Sequence, residues 1–118
     1  MPEITTHVLD VSVGRPAKGV RNVLYRTDSL GVISFIADRL TNETGRNGSP
    51  LIITSRIPRG HYKLEFYIGD YFRAQGIAAD DYPFLDIVPI VFGVNDATVN
   101  YHIPLVVSPY SYSTYRGS

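Results

Sequence analysis

No cysteine occurs anywhere in the 118 residues. That excludes a disulfide framework, a thiol nucleophile and a thiolate metal site, and it fits a reducing compartment. Tryptophan is also absent, and there is a single methionine. Net charge is missing as well: 11 basic residues offset 11 acidic ones, for a pI near 6.8. The chain therefore lacks the electrostatic footprint of a nucleic-acid or acidic-membrane binder. The same neutrality leaves little self-repulsion to oppose self-association. No apolar run approaches bilayer-spanning length. The start, Met1-Pro2-Glu3-Ile4, has neither the basic nor the apolar region of a signal peptide. A nucleophile elbow, a P-loop, a dinucleotide fingerprint and zinc-finger spacings are all missing. The expectation is a cytoplasmic protein, with peroxisomal and periplasmic locations left open, whose partners include neither nucleic acid nor membrane.

What is present is turn-forming and aromatic: nine tyrosines, eight prolines and ten glycines. A chain of this length is one domain, 1–118, burying about two-thirds of the surface its unfolded form exposes. Ile4 to Asp10 reads as a strand, with Ile4, Thr6 and Val8 on one face and Thr5, His7 and Leu9 on the other. Gly14 to Gly19 is a turn-rich loop, Val20 to Thr27 a second strand and Val32 to Ala37 a third. Thr41 to Pro50 is an exposed loop around Arg46, and Leu51 to Thr54 is a short fourth strand. His61 to Gly69 alternates most cleanly, turning Tyr62, Leu64, Phe66 and Ile68 inward. Gly69-Asp70 offers a cap for one or two helical turns over Tyr71 to Gln75, ended by Gly76. Phe84 to Val94 is a strand that Pro89 confines to an edge or a bulge. Val99 to Val107 follows, and Ser113 to Tyr115 ends the chain as a last strand. About eight short strands at regular spacing with one short helix predict an all-β, antiparallel Greek-key sandwich.

Two of the three histidines lie mid-strand. If Ile4, Val8, Tyr101, Ile103 and Leu105 fill the core, His7 and His102 both point outward beside Leu9, Pro104 and Val106. That face is too apolar to be merely solvated, so it meets a ligand or another subunit. His61 begins a strand on its polar face and reads as surface. His7 and His102 lack an accompanying third ligand, so no metal is expected. The tail, Pro109-Tyr110-Ser111-Tyr112-Ser113-Thr114-Tyr115-Arg116-Gly117-Ser118, is unusually rich in aromatic and hydroxyl groups for a terminus. Gly117 allows a sharp bend that brings Arg116 and Ser118 back on the body, and a guanidinium there suits planar polar groups.

Four stretches in this order carry a family resemblance: Thr6-His7-Val8-Leu9-Asp10, Gly45-Arg46, Tyr101-His102-Ile103-Pro104-Leu105, and the tail from Ser108 through Tyr115-Arg116-Gly117-Ser118. They resemble the transthyretin-like 5-hydroxyisourate hydrolases over essentially the whole chain. The resemblance implies two four-stranded sheets, one short helix and a homotetramer built as a dimer of dimers, with sites where two dimers meet. It implies that His7, Arg46, His102 and Ser118 are catalytic and that Tyr115, Arg116 and Gly117 shape the substrate pocket. Where the family often has an acidic residue ahead of the loop glycine, this chain has Thr44.

The implied reaction opens the six-membered ring of 5-hydroxyisourate by water, giving 2-oxo-4-hydroxy-4-carboxy-5-ureidoimidazoline. His7 and His102 serve as an acid/base pair, which of them is acid and which is base being left open. Arg46 or Arg116 holds the developing charge, and Ser118 positions water. Neither a metal nor an organic cofactor is required. The alternative is a transthyretin-type carrier with a small aromatic ligand in a tetramer channel. Such carriers typically have lysine, glutamate and threonine where this chain has His7, Arg46 and His102, and lack the Tyr-Arg-Gly-Ser tail.

Overall fold

The computed structural model describes residues 1–77 and 80–118. Its elements in chain order are β1 (Glu3–Asp10), β2 (Arg15–Pro16), β3 (Arg21–Thr27), β4 (Ile33–Leu40), β5 (Ile52–Ile53), β6 (Gly60–Tyr67), α1 (Ile68–Ala74), β7 (Ile87–Val94), β8 (Tyr101–Val107) and β9 (Tyr112–Thr114). They form two sheets. One has the order β2-β1-β8-β9, with β5 also paired to β1; the other has the order β4-β3-β6-β7. The expected sandwich with one short helix is what forms. All strand pairs are antiparallel except β1 and β8, which run parallel. A parallel neighbour needs a long connection, and nearly the whole chain lies between these two strands.

Strand alternation fills the space between the sheets. Ile4 and Val8 from β1, Leu105 and Val107 from β8, and Tyr62, Leu64 and Phe66 from β6 are buried together with Ile68 of the helix. Each such apolar side chain contributes about 1.5–3 kcal/mol on leaving water. Buried polar groups are bonded. Thr6 donates to the carbonyl of Ile103 at 2.6 Å. Asp10, fully buried, accepts from the Ser12 N–H at 2.9 Å and from the Tyr71 hydroxyl at 2.7 Å. This ties the helix to the end of β1. Burial and the bond to Asp10 push the Tyr71 phenol well above its ordinary value.

The boundaries differ from the sequence expectation in instructive places. The Gly14–Gly19 loop contains β2, because Leu9 and Asp10 pair with Pro16 and Arg15. β4 runs on to Leu40 because β3 supplies partners as far as Arg21. Phe84 to Asp86 and Val99-Asn100 precede their strands rather than belonging to them, and the last strand is centred one residue earlier. The helix starts at Ile68 straight out of β6, and Tyr67 at its N-cap makes no side-chain capping bond. Gly69 is therefore not a cap. It stands in the first turn because a Cβ there would collide with the carboxylate of Asp86, whose carbonyl its N–H reaches at 3.0 Å. Gly76, with φ of 72°, does end the helix. Pro89 lies in β7, which is an edge strand of its sheet.

Candidate active site

The parallel register of β1 and β8 sets the site. Thr5 lies opposite His102, His7 opposite Pro104, and Leu9 opposite Val106. All six belong to the outer set of their strands, so the two histidines are diagonal neighbours on one sheet face. Single backbone bridges widen this face on both sides. On the free edge of β1, between β5 and β2, Arg46 pairs with His7, and the Val8 N–H donates to the Gly45 carbonyl at 2.9 Å. On the far edge of β8, Gly117 pairs with His102, its N–H donating to the His102 carbonyl at 2.8 Å. Four backbone segments thus run side by side: the Arg46 loop, β1 with His7, β8 with His102, and the tail at Gly117.

Glycine is needed at both joints. Gly45 has φ of 75°, and a Cβ there would collide with the Val8 carbonyl and crowd His7. A Cβ on Gly117 would stand 2.5 Å from Cδ2 of His102. Each histidine ring is therefore flanked by a glycine that lets a second segment approach it. The Arg46 loop is held from within. Asn42 accepts from the Thr44 N–H at 2.9 Å and hydroxyl at 2.6 Å, and Asn42 and Arg46 close the turn through N–H to carbonyl at 2.8 Å. Buried Asn22 and half-buried Asn47 exchange amide hydrogen bonds at 3.0 and 2.9 Å, fastening the loop to β3. Thr44, where the family often has an acid, acts here as a turn-closing hydroxyl.

Thr5, Arg46, Asn47, Ser49, His102 and Ser118 line a cleft of about 570 Å³, within the usual range for small-ligand sites. His102 is half-buried, and Nδ1 of its ring lies 2.8 Å from the Thr5 hydroxyl. Burial lowers the pKa of His102, and the nearby Arg46 and His7 charges lower it further, against an opposing backbone hydrogen bond to Thr5. The ring is therefore neutral at neutral pH and available to accept a proton. Among the described residues Arg46 makes no ion pair, so its charge remains available to a ligand.

The structure brings Arg46, His102 and Ser118 to one cleft, and Gly117 to its edge. His7 shares the face but is not among the cleft walls of a single subunit. Tyr115 and Arg116 lie on the other side of His102. They border a second cleft of about 260 Å³, which His102 also lines, with Ile90 and Phe92, and the Arg116 guanidinium lies 4.5 Å from the centre of the Tyr101 ring. Arg116 and Ser118 line different clefts; positions two apart on a regular strand would share a face, so the tail is irregular on either side of the single bridge at Gly117. Thr5, Asn47, Ser49 and Asn100 are cleft residues that the sequence reading did not single out. Thr5 was detectable, since it shares the outer face with His7; the other three are placed by loop geometry. His61 is exposed, as expected. No group of three or more histidine, aspartate or glutamate side chains gathers to hold a metal ion among the described residues.

A family model described as HIUase/Transthyretin family matches residues 4–117. The chain belongs to the HIUase/transthyretin family. Full-length relatives agree. The chain is 45% identical over 116 residues to 5-hydroxyisourate hydrolase of Halalkalibacterium halodurans, covering 98% of each chain. It is 47% identical over 115 residues to 5-hydroxyisourate hydrolase 2 of Rhizobium meliloti, covering 98% of this chain and 95% of that one. Among solved structures, Klebsiella pneumoniae 5-hydroxyisourate hydrolase superposes with a TM-score of 0.82 at 30% identity, with both chains fully covered. (S)-allantoin synthase superposes with a TM-score of 0.91 at 38% identity over 99% of this chain, which spans only 44% of that longer one. The HIUase/transthyretin fold also appears in sea bream transthyretin complexed with thyroxine, with a TM-score of 0.82 at 28% identity, covering 98% and 94% of the two chains. Among the described residues no helix is long and apolar enough to cross a membrane.

Proposed function

We propose that this chain hydrolyses 5-hydroxyisourate, opening its six-membered ring, and that it works as a homotetramer assembled as a dimer of dimers. The observation that carries the reading is the row of Arg46, His7, His102 and Gly117-Ser118 across one sheet face, bordering a polar cleft of about 570 Å³. A passive carrier channel has no use for a neutral half-buried histidine beside an arginine that makes no ion pair among the described residues. The full-length 5-hydroxyisourate hydrolase relatives support the same substrate.

In the chemistry we assign, His102 takes a proton from water because its ring is held neutral by burial and by Arg46. The water oxygen adds to the ring carbonyl, and Arg46 stabilises the negative oxygen that forms. The carbon–nitrogen bond then breaks, the carbonyl becomes a carboxyl group, and the ring nitrogen leaves with a proton supplied by His7. Acid/base help of this kind is worth about 10²- to 10⁴-fold, and each oxyanion donor about 10²- to 10³-fold. Ser118 orients the water from the cleft wall. Arg116, stacked on Tyr101, holds the tail so that Gly117 can bridge to His102. A second dimer facing this sheet closes the open side of the cleft and brings His7 and Tyr115 within reach of substrate.

The test is the loss of ultraviolet absorbance of freshly generated 5-hydroxyisourate with and without the protein, in the presence of a chelator. Decay well above the spontaneous rate is expected. Decay at the spontaneous rate, with retained binding of thyroxine-like ligands, overturns the enzyme reading in favour of the carrier. Sedimentation checks the assembly, with a tetramer expected and a monomer contradicting it.

A further inference from the structure

We propose that Thr5 is a positioning residue: its side-chain oxygen accepts the Nδ1–H of His102 and so leaves Nε2 of that ring unprotonated for the water in the cleft. The proposal rests on the hydrolase reading for the tautomer and for its consequence in turnover, but the geometry stands without it.

A neutral imidazole has one N–H and one lone pair, and the partner of one nitrogen fixes the role of the other. Here Nδ1 and the Thr5 hydroxyl oxygen are 2.8 Å apart, a good hydrogen-bond distance. A hydroxyl alone does not settle the tautomer, because it can donate as well as accept. The hydrolase reading assigns it: the ring must offer a lone pair to water in the cleft, and with Nδ1 held against the Thr5 hydroxyl that lone pair falls on Nε2. The two residues are also direct partners in the parallel β1–β8 register. The pairing is thus fixed by backbone hydrogen bonds rather than by a flexible side-chain reach. With Nδ1–H committed to Thr5, the lone pair sits on Nε2. The hydroxyl hydrogen of Thr5, itself a cleft residue, is then left over for an acceptor on the ligand.

Arg46 and Thr5 divide the work on one ring. Burial first and Arg46 second lower the His102 pKa, whereas Thr5 chooses which nitrogen carries the remaining hydrogen. Loss of Arg46 moves a pH profile. Loss of Thr5 mixes tautomers and lowers the productive fraction at every pH.

The experiment uses the full-length protein labelled with ¹⁵N-histidine, without ligand, near pH 8. Long-range proton–nitrogen spectra identify the protonated nitrogen, and the His102 signals are assigned from their absence in His102→Ala. The wild type is expected to show Nδ1 protonated and Nε2 bare. Thr5→Val, nearly the same shape, is expected to shift His102 toward the other tautomer and to lower kcat about ten-fold or more with little change in KM. Thr5→Ser restores both spectrum and kcat. A wild-type ring protonated on Nε2, or a Thr5→Val protein with unchanged spectrum and kcat, overturns the proposal. Should the valine variant not fold, the wild-type and serine spectra decide. An Nδ1–H spectrum in a protein that fails to hydrolyse 5-hydroxyisourate would sink the hydrolase reading alone and leave the Thr5 contact standing.

Discussion

The two sheets present two outer faces, and they handle polar groups in opposite ways. On the β4-β3-β6-β7 face, Arg21 reaches Asp38 through three nitrogen–oxygen contacts of 2.9 to 3.2 Å and lies 4.7 Å from the Tyr67 ring centre. Lys63 sits 3.5 Å from Glu65 and over Tyr25. Their mutual hydrogen bond raises the Arg21 pKa and lowers that of Asp38, so each charge is used up by the other. On the β1–β8 face, Arg46 has no ion pair among the described residues, and its charge acts on His102 instead. Charges that satisfy one another are architecture. A cation and a neutral histidine left facing a cleft are available for chemistry.

The sharpest way to break this contrast is to remove a base from the second face. His102→Ala is expected to keep the fold and lose about 10²- to 10⁴-fold in turnover, followed by 5-hydroxyisourate absorbance with circular dichroism as the fold control. Next in size is Gly117→Ala. The added methyl meets the His102 ring at 2.5 Å, so ring or tail must move, and a displacement of about 1 Å costs on the order of 10²-fold in rate. Stability should hardly change, since Gly117 needs no positive φ; a wild-type rate would show that the tail does not abut the working ring.

Arg46→Gln has a signed effect on pH. Arg46 lowers the His102 pKa, so activity that needs the unprotonated ring falls only as pH drops below the ordinary histidine value of 6.5. Without Arg46 the acid limb of the rate profile moves to higher pH. An unmoved limb would mean that Arg46 does not act on His102. The same lowered pKa makes the unfolded chain bind more protons than the folded one just below 6.5. Stability is therefore expected to rise with pH through that window and to be lost as pH falls, which melting temperatures across it would reveal. The smallest effect belongs to the first face. Arg21→Ala breaks an exposed pair, so a small drop in melting temperature and an unchanged rate are expected.

How much of this was legible from residue order depends on the range of the interaction. Period-two alternation put Tyr62, Leu64, Phe66 and Ile68 inside and His7 and His102 on a shared outward set, because side-chain direction along a strand is local. Pro89 announced an edge because its missing N–H is a property of the residue itself. Other features had no local signature. The parallel pairing of β1 and β8 follows from which ends of the chain meet. β2 exists only because Leu9 and Asp10 lie opposite it. Gly69 looked like a cap, yet the structure uses it for close approach to Asp86, a residue far along the chain. In the site, the stretches quoted for the family resemblance contain Arg46, His102, Gly117 and Ser118. The separation of Arg116 from Ser118 had no signature in the sequence, since positions two apart share a face on a regular strand and only the isolated bridge at Gly117 shows that the tail is irregular there.

The most direct measurement is a side-by-side initial rate on fresh 5-hydroxyisourate for the wild type, His102→Ala and Arg21→Ala at equal concentration. The account predicts that the His102 variant falls to near the spontaneous rate while the Arg21 variant keeps the wild-type rate. A His102 variant as fast as the wild type, or two variants slowed alike, would contradict the claim that the β1–β8 face is where the chemistry happens.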